Sequence, residues 1–166
     1  FTIETETDRV ESYFALREIS SETIDGVPRL CLNGKPYLFH GLLDQGYFPD
    51  GIFLPAASEG YKDDILTAKA LGFNTLRKHI KVEPLLWYYY CDILGVLVWQ
   101  DMINGGDVYN TSATTILPAF GLATGLKKTF GVKDTSENYK LFSREDKEGR
   151  DEYYIDAERM INTLYN

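Results

Sequence analysis

Three side chains that carry charge stand at the ends of separate apolar runs. Asp44 follows the first run, Arg77 lies near the end of the second, and Asp101 closes the third. A carboxylate accepts hydrogen bonds from a polar ligand, and a nearby guanidinium lowers the pKa of a carboxyl group. If the three runs are neighbouring parallel strands, their charged ends meet at the carboxyl edge of one sheet, where α/β barrels place their sites.

Each of these residues also has an ordinary structural interpretation. An isolated aspartate is usually a turn or helix-cap residue, and Arg77 could be a surface arginine or half of a structural ion pair. His79, two residues after Arg77, suits ligand contact and loop packing equally well. Because side chains alternate along a strand, Trp99 and Asp101 point the same way, so we favour that pair and leave Gln100 aside.

The elements that must position these residues follow the pattern of parallel βα units. The pattern predicts a helix over 60–71 and a short strand over 73–79. A second helix begins at Pro84 and ends at Gly95, and an apolar strand buried on both faces follows over 96–99. The short connections between these elements favour an α/β fold with a parallel sheet.

The remaining segments predict less regular structure. Residues 1–19 alternate like an edge or terminal strand, and turns are expected at Asp25-Gly26 and Asn33-Gly34, the second being a strong hairpin signal. Residues 104–143 have weak periodicity and are interpreted mostly as loop, whereas 145–165 are predicted to form a helix.

The composition argues against several classes of function. The chain has 17 Lys and Arg against 25 Asp and Glu, so its net charge of −8 disfavours a nucleic-acid partner. No apolar run approaches the roughly 20 residues needed to span a bilayer, so no membrane partner is predicted. The two cysteines, Cys31 and Cys91, do not have the spacing of metal ligands, and the Asp, Glu and His residues do not have it either. The glycine-containing segment 121–129 lacks the spacing of a phosphate-binding loop. No metal and no cofactor are therefore predicted.

Three motifs, in a consistent order and spacing, resemble those of glycoside hydrolase family 2, the group that contains β-galactosidases, β-glucuronidases and β-mannosidases. They are LNGKP at 32–36 running into HGLLD at 40–44, the pattern D…K..GFN..R across 64–77, and CDILGVLVWQD at 91–101. The resemblance covers about residues 10–101. Residues 139–166 fit the helix that the family places before barrel strand four.

This resemblance implies an α/β fold. The chain would contain the first three βα units of a (β/α)8 TIM barrel, and this partial barrel would follow the last strand of an immunoglobulin-like β-sandwich. The implied domains are 1–20, the terminal strand of the sandwich, and 21–166, the N-terminal portion of the barrel. Three barrel strands leave open sheet edges, so self-association through those edges is expected. The family also implies a bacterial protein, cytoplasmic, periplasmic or secreted, with the cytoplasm favoured.

The same resemblance implies a fragment of a retaining exo-β-glycosidase that takes a carbohydrate substrate, with β-galactosidase as the first guess. Retaining hydrolysis uses two carboxyl groups about 5–5.5 Å apart. The family's acid/base is the Glu of an Asn-Glu pair, which this sequence lacks, and the nucleophile lies later still, so no catalytic residue is assigned. The residues expected to bind substrate are Asp44, Arg77, His79, Trp99 and Asp101, and the family gives Arg77 the role of supporting the nucleophile.

Two other functions remain open from the sequence. One is a non-catalytic carbohydrate-binding module that keeps the strand-end groups, and the other is a generic α/β domain that binds a different small ligand. The 12 Tyr, 9 Phe and 2 Trp permit a carbohydrate interpretation without requiring it, because cores use the same residues. An Asn-Glu pair soon after Asn166 would favour the enzyme over the module.

Overall fold

The computed structural model describes residues 1–103, 111–124, 135, 137 and 146–165. The chain divides into two compact units. The first comprises Phe1–Asp101 with Leu164 and the residues after it, and the second comprises Met102–Thr163. All five residues predicted to bind substrate belong to the first unit.

Antiparallel strands occupy the beginning of the first unit. One pair consists of β1 (Thr2–Glu4) and β2 (Arg9–Glu11), and a three-stranded sheet consists of β3 (Ile19–Ile24), β4 (Val27–Leu32) and β5 (Lys35–Pro36). The turns predicted at Asp25-Gly26 and Asn33-Gly34 are confirmed. Both residues of the second turn have positive φ, 52° at Asn33 and 71° at Gly34, which is what a tight two-residue hairpin requires.

The prediction of one alternating strand over 1–19 is wrong. Two short strands form instead, and 12–18 belong to neither. Every residue from 1 to 19 is exposed, so the alternation has no buried face that would fix a single strand. Tyr13 anchors the segment by donating a hydrogen bond to Asp92 Oδ2 at 2.7 Å. Partial burial and this bond raise the pKa of Tyr13 to about 12.

The predicted βα units are confirmed in a three-stranded parallel sheet. Its elements in chain order are β6 (Gly41–Asp44), α1 (Glu59–Ala70), β7 (Thr75–Lys78), α2 (Leu85–Leu94) and β8 (Leu97–Gln100). The strand order is β6-β7-β8, so β7 is central. Gly95, with φ 68°, ends α2 as predicted. The observed helix and strand ends differ from the predicted ones by one or two residues, the usual uncertainty at frayed termini.

One face of this sheet packs against both helices and forms the core. The buried residues that share this cluster are Phe48, Tyr61, Ile65, Ala68, Leu76, Trp87, Cys91 and Val96. The opposite face is open, and Trp99 on it is 50% exposed. The prediction that the third strand is buried on both faces is therefore wrong, because within the described residues only the helix-facing side is covered.

Helices make up most of the described part of the second unit. A π-helical segment, Ser112–Ile116, continues into α3 (Leu117–Thr124), and most of α4 (Lys147–Leu164) follows. The loop predicted for 104–143 is thus wrong at 112–124, where the poor helix formers Pro118 and Gly121 weaken the helical signal. Most of its other residues lie outside the described ones. The last predicted helix is confirmed. No helix in the described ranges is both long and apolar enough to cross a bilayer.

Candidate ligand site at the strand ends

Arg77 and Asp101 meet at the carboxyl edge of the parallel sheet. Arg77 Nε and Nη2 each donate to one carboxylate oxygen of Asp101, both at 2.9 Å. The backbone N–H of Ile80 also helps to lower the pKa of this carboxyl group, although less than Arg77 does. Ile80 has φ 52°, a conformation that β-branched residues rarely adopt and that is often found at functional sites. The two hydrogen bonds fix the orientation of both side chains, which are partly exposed to solvent. The pair therefore forms a rigid polar rim at the carboxyl edge of the sheet.

The hydrogen bond from Arg77 is the largest cause of a lowered pKa at the Asp101 carboxyl. A carboxyl group whose pKa falls on folding stabilises the fold at pH values above its ordinary pKa of about 3.9. That contribution is lost as the pH falls through the lower pKa of the folded state.

We expect Arg77→Met to raise the pKa of Asp101 toward the ordinary value, because the bidentate donor is removed. Carbon-13 NMR titration of the Asp101 carboxyl measures this directly. Arg9→Met is the matched control, since Arg9 pairs with Glu4 and Glu11 in β1 and β2. An Asp101 titration that is the same in both variants would show that Arg77 does not set this pKa.

Trp99 lies on the open face of the sheet beside Arg77. The register aligns Leu43, Arg77 and Trp99 in one row, and all three side chains are exposed. The Trp99 ring contacts Phe39 with centroids 5.5 Å apart. Gln100 points to the other face, where it accepts a hydrogen bond from the Tyr88 hydroxyl at 2.6 Å. Trp99, and not Gln100, thus lies on the same face of the sheet as Arg77, and its contact with substrate stays a prediction.

The expectation that Asp44 shares this rim is wrong. Asp44 ends its strand at the same edge, but its carboxylate forms an ion pair with Lys78 Nζ at 2.8 Å and accepts a hydrogen bond from the backbone N–H of Gly46 at 2.8 Å. Asp44 is the register partner of Lys78, and Lys78 follows Arg77 in the strand. Since successive side chains point to opposite faces, Asp44 and Lys78 face the helices while Arg77 faces away.

A buried ion cluster, formed by Asp44, Lys78, Lys81 and Glu83, lies beneath the strand ends. Glu83 Oε1 accepts a hydrogen bond from Lys78 Nζ at 2.9 Å and forms an ion pair with Lys81 Nζ at 2.9 Å. The side chains of Lys78 and Glu83 are 1% and 0% exposed. Lys78 Nζ also lies 4.3 Å from the centroid of the Trp87 ring. The sequence reasoning missed this cluster, although strand alternation already puts Lys78 on the same face as the buried Leu76.

A cavity of about 430 Å³ opens at the ends of β6 and β7. Its lining residues are Gln45, Tyr47, Phe53, His79, Ile80 and Lys81, and we call it the strand-end cavity. His79 Nδ1 lies 3.3 Å from Gln45 Nε2, and the His79 backbone N–H donates to the Asp44 carbonyl at 2.9 Å. The volume is in the range of small-molecule pockets, about 300–1,000 Å³. The structure therefore places His79 at a cavity that could hold one small ligand.

The described residues hold no group of three or more His, Cys, Asp or Glu side chains that could bind a metal ion. Cys31 and Cys91 are buried free thiols, and burial raises the pKa of Cys91 to about 12. A thiol with so high a pKa is a poor nucleophile at neutral pH. The polar groups suited to ligand binding are the Arg77–Asp101 pair and the strand-end cavity.

Sequence comparison relates the chain to glycosidases. It is 31% identical over 111 residues to the exo-β-D-glucosaminidase of Amycolatopsis orientalis, which corresponds to 61% of this chain and 10% of that protein. The chain spans about a tenth of the length of the curated relatives it matches. No protein-family model matches the chain.

Solved structures of similar fold are also glycosidases. The family 2 β-galacturonidase of Eisenbergiella tayi matches with a TM-score of 0.51 and 21% identity, covering 95% of this chain and 28% of that one. The β-glucuronidase of Parabacteroides merdae matches with a TM-score of 0.52 and 23% identity, covering 72% of this chain and 15% of that one. At these identities the matches describe the fold alone.

Proposed function

We propose that this chain, whose resemblance to glycoside hydrolase family 2 is confirmed, forms the first βα units of the catalytic barrel of an exo-β-glycosidase. The motifs at 32–44, 64–77 and 91–101 correspond to the strands β6, β7 and β8, which lie side by side in that order. Residues 1–20 would then belong to the end of an immunoglobulin-like sandwich. The activity belongs to the whole protein, to which this chain contributes substrate-binding strand ends.

The observation that carries the proposal is the Arg77–Asp101 pair at the carboxyl edge of the sheet. Arg77 and Trp99 share the face opposite to the one that α1 and α2 cover, which is the face a closed barrel would turn inward. In α/β barrels the active site forms at this edge, from the ends of several strands. Arg77 would support the nucleophile carboxylate, and Trp99, Asp101 and His79 would contact the sugar.

The two catalytic carboxylates would come from outside this sequence. Retaining hydrolysis needs an acid/base and a nucleophile about 5–5.5 Å apart, and the Asn-Glu pair that carries the acid/base in the family is absent here. Asp101 is a poor substitute because its carboxylate is occupied by Arg77 and Ile80. Asp44 and Glu83 are held in the buried ion cluster.

The sugar is the least constrained part of the proposal. A terminal β-galactoside is our first choice of substrate from the sequence motifs. The curated relatives are named exo-β-D-glucosaminidases, so a β-glucosaminide is the second substrate to compare. The β-glucuronide and β-mannoside complete the panel because the family includes those activities.

Nitrophenyl β-glycosides test this proposal in two forms of the protein. We expect the whole parent protein to hydrolyse at least one of the four with retention of anomeric configuration, as followed by proton NMR of the first product. The 166-residue chain should release no nitrophenol from any of them, because it lacks the acid/base.

Two outcomes would count against the proposal. Hydrolysis by the chain alone would show that its own carboxylates are catalytic. A parent protein that binds these sugars without cleaving them would be a carbohydrate-binding module, our alternative function.

Self-association through the open edges of β6 and β8 stays a separate prediction, and a monomer in analytical ultracentrifugation at high concentration would contradict it.

A further inference from the structure

We propose that Glu83 makes the strand-end cavity selective for an uncharged sugar ring, because it masks the positive charge of Lys81. This inference rests on the proposed function and adds the class of sugar that this part of the site accepts. Glu83 does not reach the ligand itself. It acts through Lys81, which lines the cavity.

The ammonium group of Lys81 is engaged by groups of the protein itself. Lys81 Nζ donates to the Gly46 carbonyl at 2.8 Å and to the Phe53 carbonyl, and it forms an ion pair with Glu83 Oε1 at 2.9 Å. Two of its three N–H donors are therefore used, and its charge is paired with a buried carboxylate. A ligand carboxylate would have to compete with Glu83 for Lys81.

The other cations of this edge are neutralised in the same way. Lys78 is buried between Asp44 and Glu83, and Arg77 is bidentate to Asp101. Among the described residues at this edge, three Lys or Arg cations therefore pair with three carboxylates. These ion pairs leave no unpaired positive charge among them to attract an anionic sugar. The binding of an uncharged sugar does not depend on such a charge.

One oxygen of Glu83 is left without a partner. Glu83 Oε2 is buried and has no hydrogen-bond partner within the described part of the chain. Because it is buried it does not contact a ligand, but its negative charge lies close to Lys81 and disfavours a ligand carboxylate in the cavity.

The rest of the cavity suits an uncharged ring. Tyr47 and Phe53 are both exposed and contact each other with centroids 5.5 Å apart, so they offer aromatic faces to the C–H groups of a pyranose. Gln45 and His79, 3.3 Å apart, offer an amide and an imidazole for hydroxyls. Stacking would supply most of the contact area, and the two polar groups would orient the ring.

The test compares the binding of methyl β-D-galactoside, methyl β-D-glucoside and methyl β-D-glucuronide to the chain by NMR titration at pH 8 and low salt. We expect the uncharged glycosides to bind at least about tenfold more tightly than the glucuronide. Glu83→Gln, once circular dichroism shows it folded, should shift that ratio by about tenfold or more toward the glucuronide, because Lys81 is unmasked. Glu59→Gln, which removes an exposed carboxylate at the start of α1, should leave the ratio unchanged.

If Glu83→Gln does not fold, Lys81→Met takes its place. If Glu83 masks Lys81, this variant should leave the ratio of the affinities for the uncharged glycosides and the glucuronide nearly unchanged. A general loosening of the loop would weaken the binding of all three sugars alike and would not change that ratio. Three results would each overturn the inference. Lys81→Met could lose glucuronide binding selectively, Glu83→Gln could fold and leave the ratio unchanged, or the wild-type chain could prefer the glucuronide. Failure of all three sugars to bind the chain would also overturn the inference, whereas the proposed function is tested separately by hydrolysis with the whole parent protein.

Discussion

Lys78→Met is expected to lower the free energy of unfolding by about 3–5 kcal/mol, the usual effect of leaving buried charges without their partner. Lys78 Nζ pairs with Asp44 at 2.8 Å and with Glu83 at 2.9 Å, and its side chain is 1% exposed. Methionine keeps much of the side-chain volume over Trp87 but removes the ammonium group. Glu83 would keep its ion pair with Lys81, whereas Asp44 would lose its ion pair with Lys78.

Urea denaturation followed by circular dichroism measures this change. Lys62→Met is the matched control, because Lys62 is exposed on α1, and it should change stability by less than about 0.5 kcal/mol. The double variant Lys78→Met with Glu83→Gln should recover part of the loss, because one positive and one negative charge are removed together. Equal stability of Lys78→Met and Lys62→Met would mean that the cluster is not a buried charge network.

Gly46→Ala is expected to destabilise the fold by about 3 kcal/mol or more, through backbone strain and a clash with the buried ion cluster. Gly46 has φ 67°, and a Cβ atom there would lie 2.1 Å from Glu83 Oε1 and 2.8 Å from Lys81 Nζ. No Cβ atom tolerates these distances, so the clash forces the carboxylate or the loop to move. Since Lys81 also holds the Gly46 carbonyl, the strand-end cavity should change shape as well.

Gly34→Ala separates the two causes. Gly34 has φ 71°, but a Cβ atom added there meets nothing within 4 Å. It should therefore show the backbone effect alone, about 1–2 kcal/mol. Urea denaturation measures both variants. If they lose the same stability, the clash between the added Cβ atom at residue 46 and Glu83 contributes nothing to the loss.

The secondary structure around the site was largely predictable because its signals are local. The Asn33-Gly34 turn, the α2 stop at Gly95 and the apolar strand before Asp101 depend on backbone conformation and on side-chain periodicity within a few residues. The N-terminal segment was mispredicted for a related reason. Its alternation is real, but without a covered face the pattern does not specify a strand.

The candidate site was predictable in part. Placing Arg77 and Asp101 together needed only the assumption that two apolar strands are adjacent and parallel, which the motifs 64–77 and 91–101 supported. His79 was correctly placed at the strand ends, but the cavity that it lines depends on the conformation of the loop after Gln45. Loop conformation is set by long-range contacts, here those of Lys81 with the carbonyls of Gly46 and Phe53.

The sequence alone determined which residues end the parallel strands and which neighbours alternate to opposite faces. Only the tertiary structure decided which face α1 and α2 cover, and therefore that Asp44 pairs with Lys78 instead of facing a ligand beside Arg77. The physical reason is that a buried ammonium group needs a carboxylate partner. Lys78 lies under the helices with its side chain 1% exposed and pairs with Asp44, whereas Asp101 pairs with Arg77, whose side chain is 54% exposed.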